Sequence, residues 1–156
     1  MKKYGWCILL VAAVWLFPRL SHPAVDVGKL EPVETVLLTV NEWGLTIETD
    51  TGAEGYGPSL EEAIKDLIER AEANIYLDTT NKLLISGDPD AYWEAIFRVF
   101  RPSCNVYGIE GDINPVDATP YISVHEKGIT INQIRAGERA WNVLTIKGGQ
   151  EDFVWK

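Results

Sequence analysis

At 156 residues and 17.5 kDa, the chain has room for one domain and a short appendage. Hydrophobic residues make up 46% and charged residues 24%, a balance that excludes wholesale disorder. Fourteen Lys and Arg stand against 23 Asp and Glu, and this charge of −9, without a local basic patch, argues against a nucleic-acid partner.

Lys2 and Lys3 precede an apolar run from Tyr4 to Phe17, closed by Pro18 and Arg19. This is the basic-then-apolar order of an export signal, so residues 1–23 are read as a signal peptide or signal-anchor. The run is 14 residues, shorter than the roughly 20 that span a bilayer comfortably. Cleavage after Ala24 would put His22 where a small residue is wanted, and so retention as an anchor stays open beside cleavage. The basic N-terminus keeps that end inside. The rest is expected at the outer face of the cell membrane, held by residues 4–20, or secreted if the leader is cut. Cys7 lies within the run without small residues before it, which argues against a lipid-attachment box. From Lys29 onward, 11 basic residues face 22 acidic ones.

Residues 24–33, with one proline and one glycine, read as a linker, and residues 34–156 as a single α+β domain. Glu34–Val40 and Leu45–Thr49 read as a hairpin around Asn41-Glu42-Trp43-Gly44, and Asp50–Pro58 as a loop. Ser59–Ala73 is the clearest helix: Ser59 and Glu62 have capping-box spacing, and Leu60, Ala63, Ile64, Leu67, Ile68 and Ala71 form one stripe. Ile75–Leu77 and Lys82–Ser86 read as strands, the second inside the sheet. A second helix starts at Asp88-Pro89 and ends at Arg101, with Tyr92, Trp93, Ile96, Val99 and Phe100 inward. Cys104–Ile109 reads as a strand and Glu110–Pro120 as a polar loop. Two hairpins then follow: Tyr121–His125 with Ile129–Gln133, and Trp141–Lys147 with Asp152–Trp155. The order is roughly ββαβαβ followed by C-terminal hairpins, a mixed sheet with two packed helices.

Chemical motifs are sparse. His125-Glu126 lacks the second histidine of a zinc-protease helix, since Ile129 stands in its place. Asp112, Asn114 and Asp117 offer oxygens to calcium but lack the loop's glycine and closing glutamate, so side-chain capping of the loop is the better reading. Gly52–Gly57 has no following Lys and Ser or Thr for a phosphate loop. A hydrolytic triad would need His125, the sole histidine beyond the leader, and no serine is singled out. Asp88 and Asp90 are a chance pair among many acids, and Cys104 reads as a small buried hydrophobe. The expectation is a non-enzyme without catalytic residues, cofactor or metal. Trp43, Trp141 and Trp155 are the candidate binding surface; the residues favour core-capping roles for them.

Tyr56–Ser86 (YGPSLEEAIKDLIERAEANIYLDTTNKLLIS) resembles the first domain of the spore germination receptor C subunits, the Ger(x)C family. The likeness is carried by Ser59-Leu60, Glu62-Ala63-Ile64, Leu67, Tyr76-Leu77 and Leu83-Leu84-Ile85, and extends over about residues 34–101. Family members are lipoproteins with further domains, features without a counterpart here. The resemblance implies a non-catalytic, membrane-associated module of spore germination or sporulation that binds other membrane receptor subunits. The rival expectation is an exported sugar- or peptide-binding module using the three tryptophans.

Overall fold

The innermost strands of the described residues are strongly apolar. The structure, a computed structural model, describes residues 30–111, 113–124, 128–138, 142–147 and 150–155. Thr35–Asn41 (β2), Lys82–Ser86 (β6) and Asn105–Glu110 (β7) lie parallel and adjacent, in register Leu37↔Leu84↔Tyr107. Val36, Leu37, Leu38, Leu83, Leu84, Ile85, Val106 and Tyr107 are all buried, because helices cover both faces of these strands.

Further strands extend the sheet on either side, antiparallel beyond β2 and, beyond β7, first parallel and then antiparallel. Gly44–Thr49 (β3) and Glu54–Gly57 (β4) follow β2 outward, while Asn142–Lys147 (β9) and Gln150–Trp155 (β10) follow β7. The order is β10-β9-β7-β6-β2-β3-β4. Ile129–Thr130 (β8) pairs with Asn105 and Val106, and β9 pairs with Gly108–Glu110, so two strands share one edge of β7. Below the sheet, Leu30–Pro32 (β1) pairs in parallel with Asn74–Tyr76 (β5) as a separate ribbon. The α+β class with a mixed sheet stands as expected.

One face carries helices Leu60–Arg70 (α1) and Trp93–Val99 (α2). Ser59 caps α1 by accepting the Glu62 N–H at 3.2 Å, and Leu60, Ala63 and Leu67 are buried. α1 lies directly on β4 because that strand offers glycines: a Cβ on Gly55 would sit 2.3 Å from the Ala63 carbonyl oxygen, and one on Gly57 2.5 Å from the Ala63 nitrogen. From α2 and its end, Trp93, Ile96 and Phe100 complete this core, joined by Ile129, Ile131 and Ile134. The other face carries Pro115–Val124 (α3), whose Ala118 and Ile122 pack with Leu37, Leu84 and Tyr107.

Several expectations need correction. The linker reading ends early, since Leu30–Pro32 is a strand; Asp50–Pro58 contains β4. The second helix is a 3-10 turn at Asp90–Tyr92 followed by the shorter α2. The supposed loop and strand from Glu110 to His125 contain α3; apolar residues crowd this helix on every side and hide its period. Ile129–Gln133 is not a hairpin strand: after two strand residues, Thr130 and Gln133 form a reciprocal capping box that starts Ile131–Arg135 (α4). The described residues therefore hold four α-helices, not two, and one C-terminal hairpin, β9–β10. The leader and His125–Lys127 lie outside them.

Candidate functional site

At the far end of β2 from the β1–β5 ribbon, Glu42 and Trp43 form the turn into β3. Asn41 and Gly44 make the last rung of the ladder. Asn41 Oδ1 accepts the Trp43 N–H at 3.0 Å, an Asx turn that sets the corner. Gly44 is required, because a Cβ there would stand 2.7 Å from the Gly57 carbonyl oxygen. The Trp43 side chain is 81% exposed, which corrects the core-capping expectation for it. Beside it Tyr56, 46% exposed, donates its hydroxyl to the Trp43 carbonyl at 2.9 Å.

Tyr56 is tied to α1 in turn. Its N–H, on the open side of edge strand β4, donates to Asp66 Oδ2 at 2.9 Å, and Arg70 Nε donates to Asp66 Oδ1 at 2.8 Å. The Tyr56 amide first, then Arg70, holds the Asp66 carboxyl below the ordinary range. A side chain from α1 thus covers part of the β4 edge. The series Arg70, Asp66, Tyr56 ties the Trp43 backbone to α1 while both rings stay open to water.

Of the three candidate tryptophans, Trp43 at the β2–β3 turn and Trp155 on β10 stand well apart in the sheet. Trp155 ends β10, four strand spacings from β2, or about 19 Å sideways. Trp141 lies outside the described residues. Trp93 is in the core, stacked on Phe97 at 5.5 Å between ring centroids.

A second polar cluster lies under α3. The Lys82 side chain is 8% exposed; its ammonium donates to Glu34 Oε1 and, at 2.9 Å, to Ser123 Oγ. Thr119 Oγ1 donates to Thr35 Oγ1 at 2.7 Å, and Ser123 Oγ donates to the Thr119 carbonyl at 2.8 Å. A serine beside a lysine invites a nucleophilic reading. Here the Lys82 amine is engaged by the Glu34 carboxylate, and the serine proton is committed to a backbone carbonyl. The cluster pins α3 to the first residues of β2 and β6. Nearby, Asp50 Oδ2 accepts the N–H groups of Glu34 and Thr35 at 3.2 and 3.1 Å, while burial, the largest influence, raises its carboxyl above the usual range.

The remaining motif residues take structural places. Asn114 Oδ1 accepts the Val116 N–H at 2.9 Å, so the loop is capped by its own side chain; Asp112 lies outside the described residues. Among the described residues no group of three or more His, Cys, Asp or Glu is placed to hold a metal ion. Asp88 Oδ1 accepts the Asp90 N–H at 3.0 Å. Cys104 is buried, and desolvation pushes its thiol up to about 12. Tyr56 and Lys82 were missed as site residues; Tyr56 left a signal, a large aromatic alternating with Gly55 and Gly57.

Comparison of the chain with protein-family models, with characterised proteins and with solved structures finds no match.

Proposed function

We propose that this chain is an exported, membrane-associated, non-catalytic domain that docks another protein on the Trp43–Tyr56 corner. One observation carries the reading: Trp43 is 81% exposed, yet its backbone is held by two hydrogen bonds from defined partners. A water-exposed tryptophan beside a tyrosine is the composition of a binding hot spot, and the held backbone reduces what must be ordered on docking. The corner also lies at the far end of β2 from Leu30, the first described residue. β2 has seven residues, so Asn41 lies about 20 Å from Thr35, and the leader joins beyond the Thr35 end.

The segment likeness to spore germination receptor C subunits makes membrane-embedded receptor subunits the candidate partners. Co-expression of the tagged full chain with such subunits, followed by capture, tests the reading. Wild type is expected to retain a subunit, and Trp43→Ala with Tyr56→Phe to weaken retention by about thirtyfold, the effect of a hot-spot loss near 2 kcal/mol. Equal retention by both forms would place the interface elsewhere.

A further inference from the structure

We infer that the open part of the sheet face beside α3 binds an uncharged oligosaccharide. The inference goes beyond docking at the Trp43 corner and does not depend on it. Strand register sets Ser86 of β6, Thr39 of β2, Thr46 of β3 and Tyr56 of β4 in one row across the sheet. Directly opposed residues share a face, so the row lies on the α3 side with about 4.8 Å from strand to strand. α3 and Ile113 cover that face over Leu37, Leu84, Tyr107 and Ile109. The row, at the carboxyl ends of β2 and β6, stays open: Ser86, Thr39 and Thr46 are half-buried and Tyr56 is exposed. In sheets with parallel strands, the carboxyl ends are where ligands seat.

The hydroxyls of the row set it apart from the rest of the fold. Thr35, Thr49, Thr79, Thr119 and Thr130 engage theirs with partners inside the protein. Among the described residues, nothing hydrogen-bonds to those of Ser86, Thr39 and Thr46. Each of the three can donate and accept, the same two roles that a sugar hydroxyl plays. At the end of the row, the Tyr56 hydroxyl is bonded to the Trp43 carbonyl and lies against Gly44, which holds the ring beside this polar floor. A few placed polar groups next to an aromatic wall make a small-ligand site. A peptide strand finds no main-chain edge here, because β6, β2 and β3 are each paired on both sides. Charge narrows the ligand further. Glu48 and Glu54, next along the same face, line a cleft of about 140 Å³ with Asn114. These carboxylates, in a chain of formal charge −9, repel phosphates and acidic glycans.

The test titrates the full chain, in a detergent without sugar head groups, with cellulose-type and chitin-type oligosaccharides and with polygalacturonate as the anionic control. A neutral oligosaccharide is expected to bind with Kd tighter than about 1 mM and to shift the backbone amide resonances of Thr39, Thr46 and Ser86. Thr39→Val with Thr46→Val keeps the branched shape and should weaken binding about tenfold, the effect of two lost hydrogen bonds. Native Trp43 emission checks that this pair folds. If it does not, Ser86→Ala takes its place, with about a threefold loss expected. Binding of neither neutral sugar, preference for polygalacturonate, or binding unchanged by the hydroxyl substitutions overturns the inference. Loss of binding with Trp43→Ala but not with the valine pair also overturns it and moves the sugar to the corner. Capture of a protein partner is measured without sugar, so the docking reading stands or falls separately.

Discussion

α1 lies on the glycines of β4 so closely that a methyl group at Gly55 would meet the Ala63 backbone, whereas α3 is held to the opposite face by Lys82, Glu34, Ser123, Thr35 and Thr119 around a smaller apolar contact. Steric interlock sets the first cover, and charge and hydrogen bonds set much of the second. The Trp43 corner is tied to the first through Asp66 and Tyr56. Its geometry depends on the interlocked face and is independent of how α3 is pinned.

The largest expected effect breaks the interlock. Gly55→Ala forces α1 off β4, because the added carbon would stand 2.4 Å from the Leu67 nitrogen and 2.3 Å from the Ala63 oxygen. A loss of about 3 kcal/mol in denaturant unfolding is expected, with a shift in Trp43 fluorescence in the native state. A loss below about 1 kcal/mol would mean that α1 and β4 have slack.

Next come the two halves of the α3 pin. Glu34→Gln leaves a nearly buried ammonium without its counter-charge, at a cost of about 2–3 kcal/mol. Lys82→Met leaves Glu34, whose side chain is 51% exposed, in contact with water and should cost less than about 1 kcal/mol. Paired unfolding curves check this asymmetry, and neither change should alter Trp43 emission in the native state. The reverse order of costs would mean that the ion pair stabilises through attraction more than it costs through desolvation.

Asp50 gives a smaller, pH-dependent effect. Burial raises its carboxyl, so the folded state binds the proton more tightly than the unfolded chain. Stability from this group is therefore lost as pH rises through the ordinary aspartate range toward the raised value, and the cost persists at neutral pH. Asp50→Asn keeps an oxygen for the Glu34 and Thr35 N–H groups. It should gain slightly in stability at pH 7, with the gain gone by about pH 3. Thermal melts across that range check the sign.

The smallest expected effect is Trp43→Ala, which removes an 81% exposed side chain and should move unfolding stability by less than about 0.5 kcal/mol. Paired with the loss of partner retention, this separates a binding residue from a structural one.

The central strands and α1 were legible because their apolar patterns have one dominant reading: KLLIS is continuous, and Leu60 to Leu67 has a clean helical period. α3 was hidden because Pro120 falls inside it and apolar residues surround its axis. β4 was hidden because its inward residues, Gly55 and Gly57, are glycines, which read as loop until α1 is placed on them. The sequence marks Trp43 as a candidate without showing its exposure, since a tryptophan in a turn gives no sign of which way it faces. The Lys82 cluster joins Glu34, Lys82 and Ser123, far apart in the chain, and only the parallel register with the path of α3 brings them together.

The most direct test of docking at the Trp43 corner places a photoactivatable residue at position 42 of the full chain in intact cells, with a second at position 94 on α2 as control. Light should join position 42 to one protein partner, and Trp43→Ala in the same chain should abolish that adduct. A partner captured equally from both positions, or captured from 42 regardless of Trp43, would contradict the account.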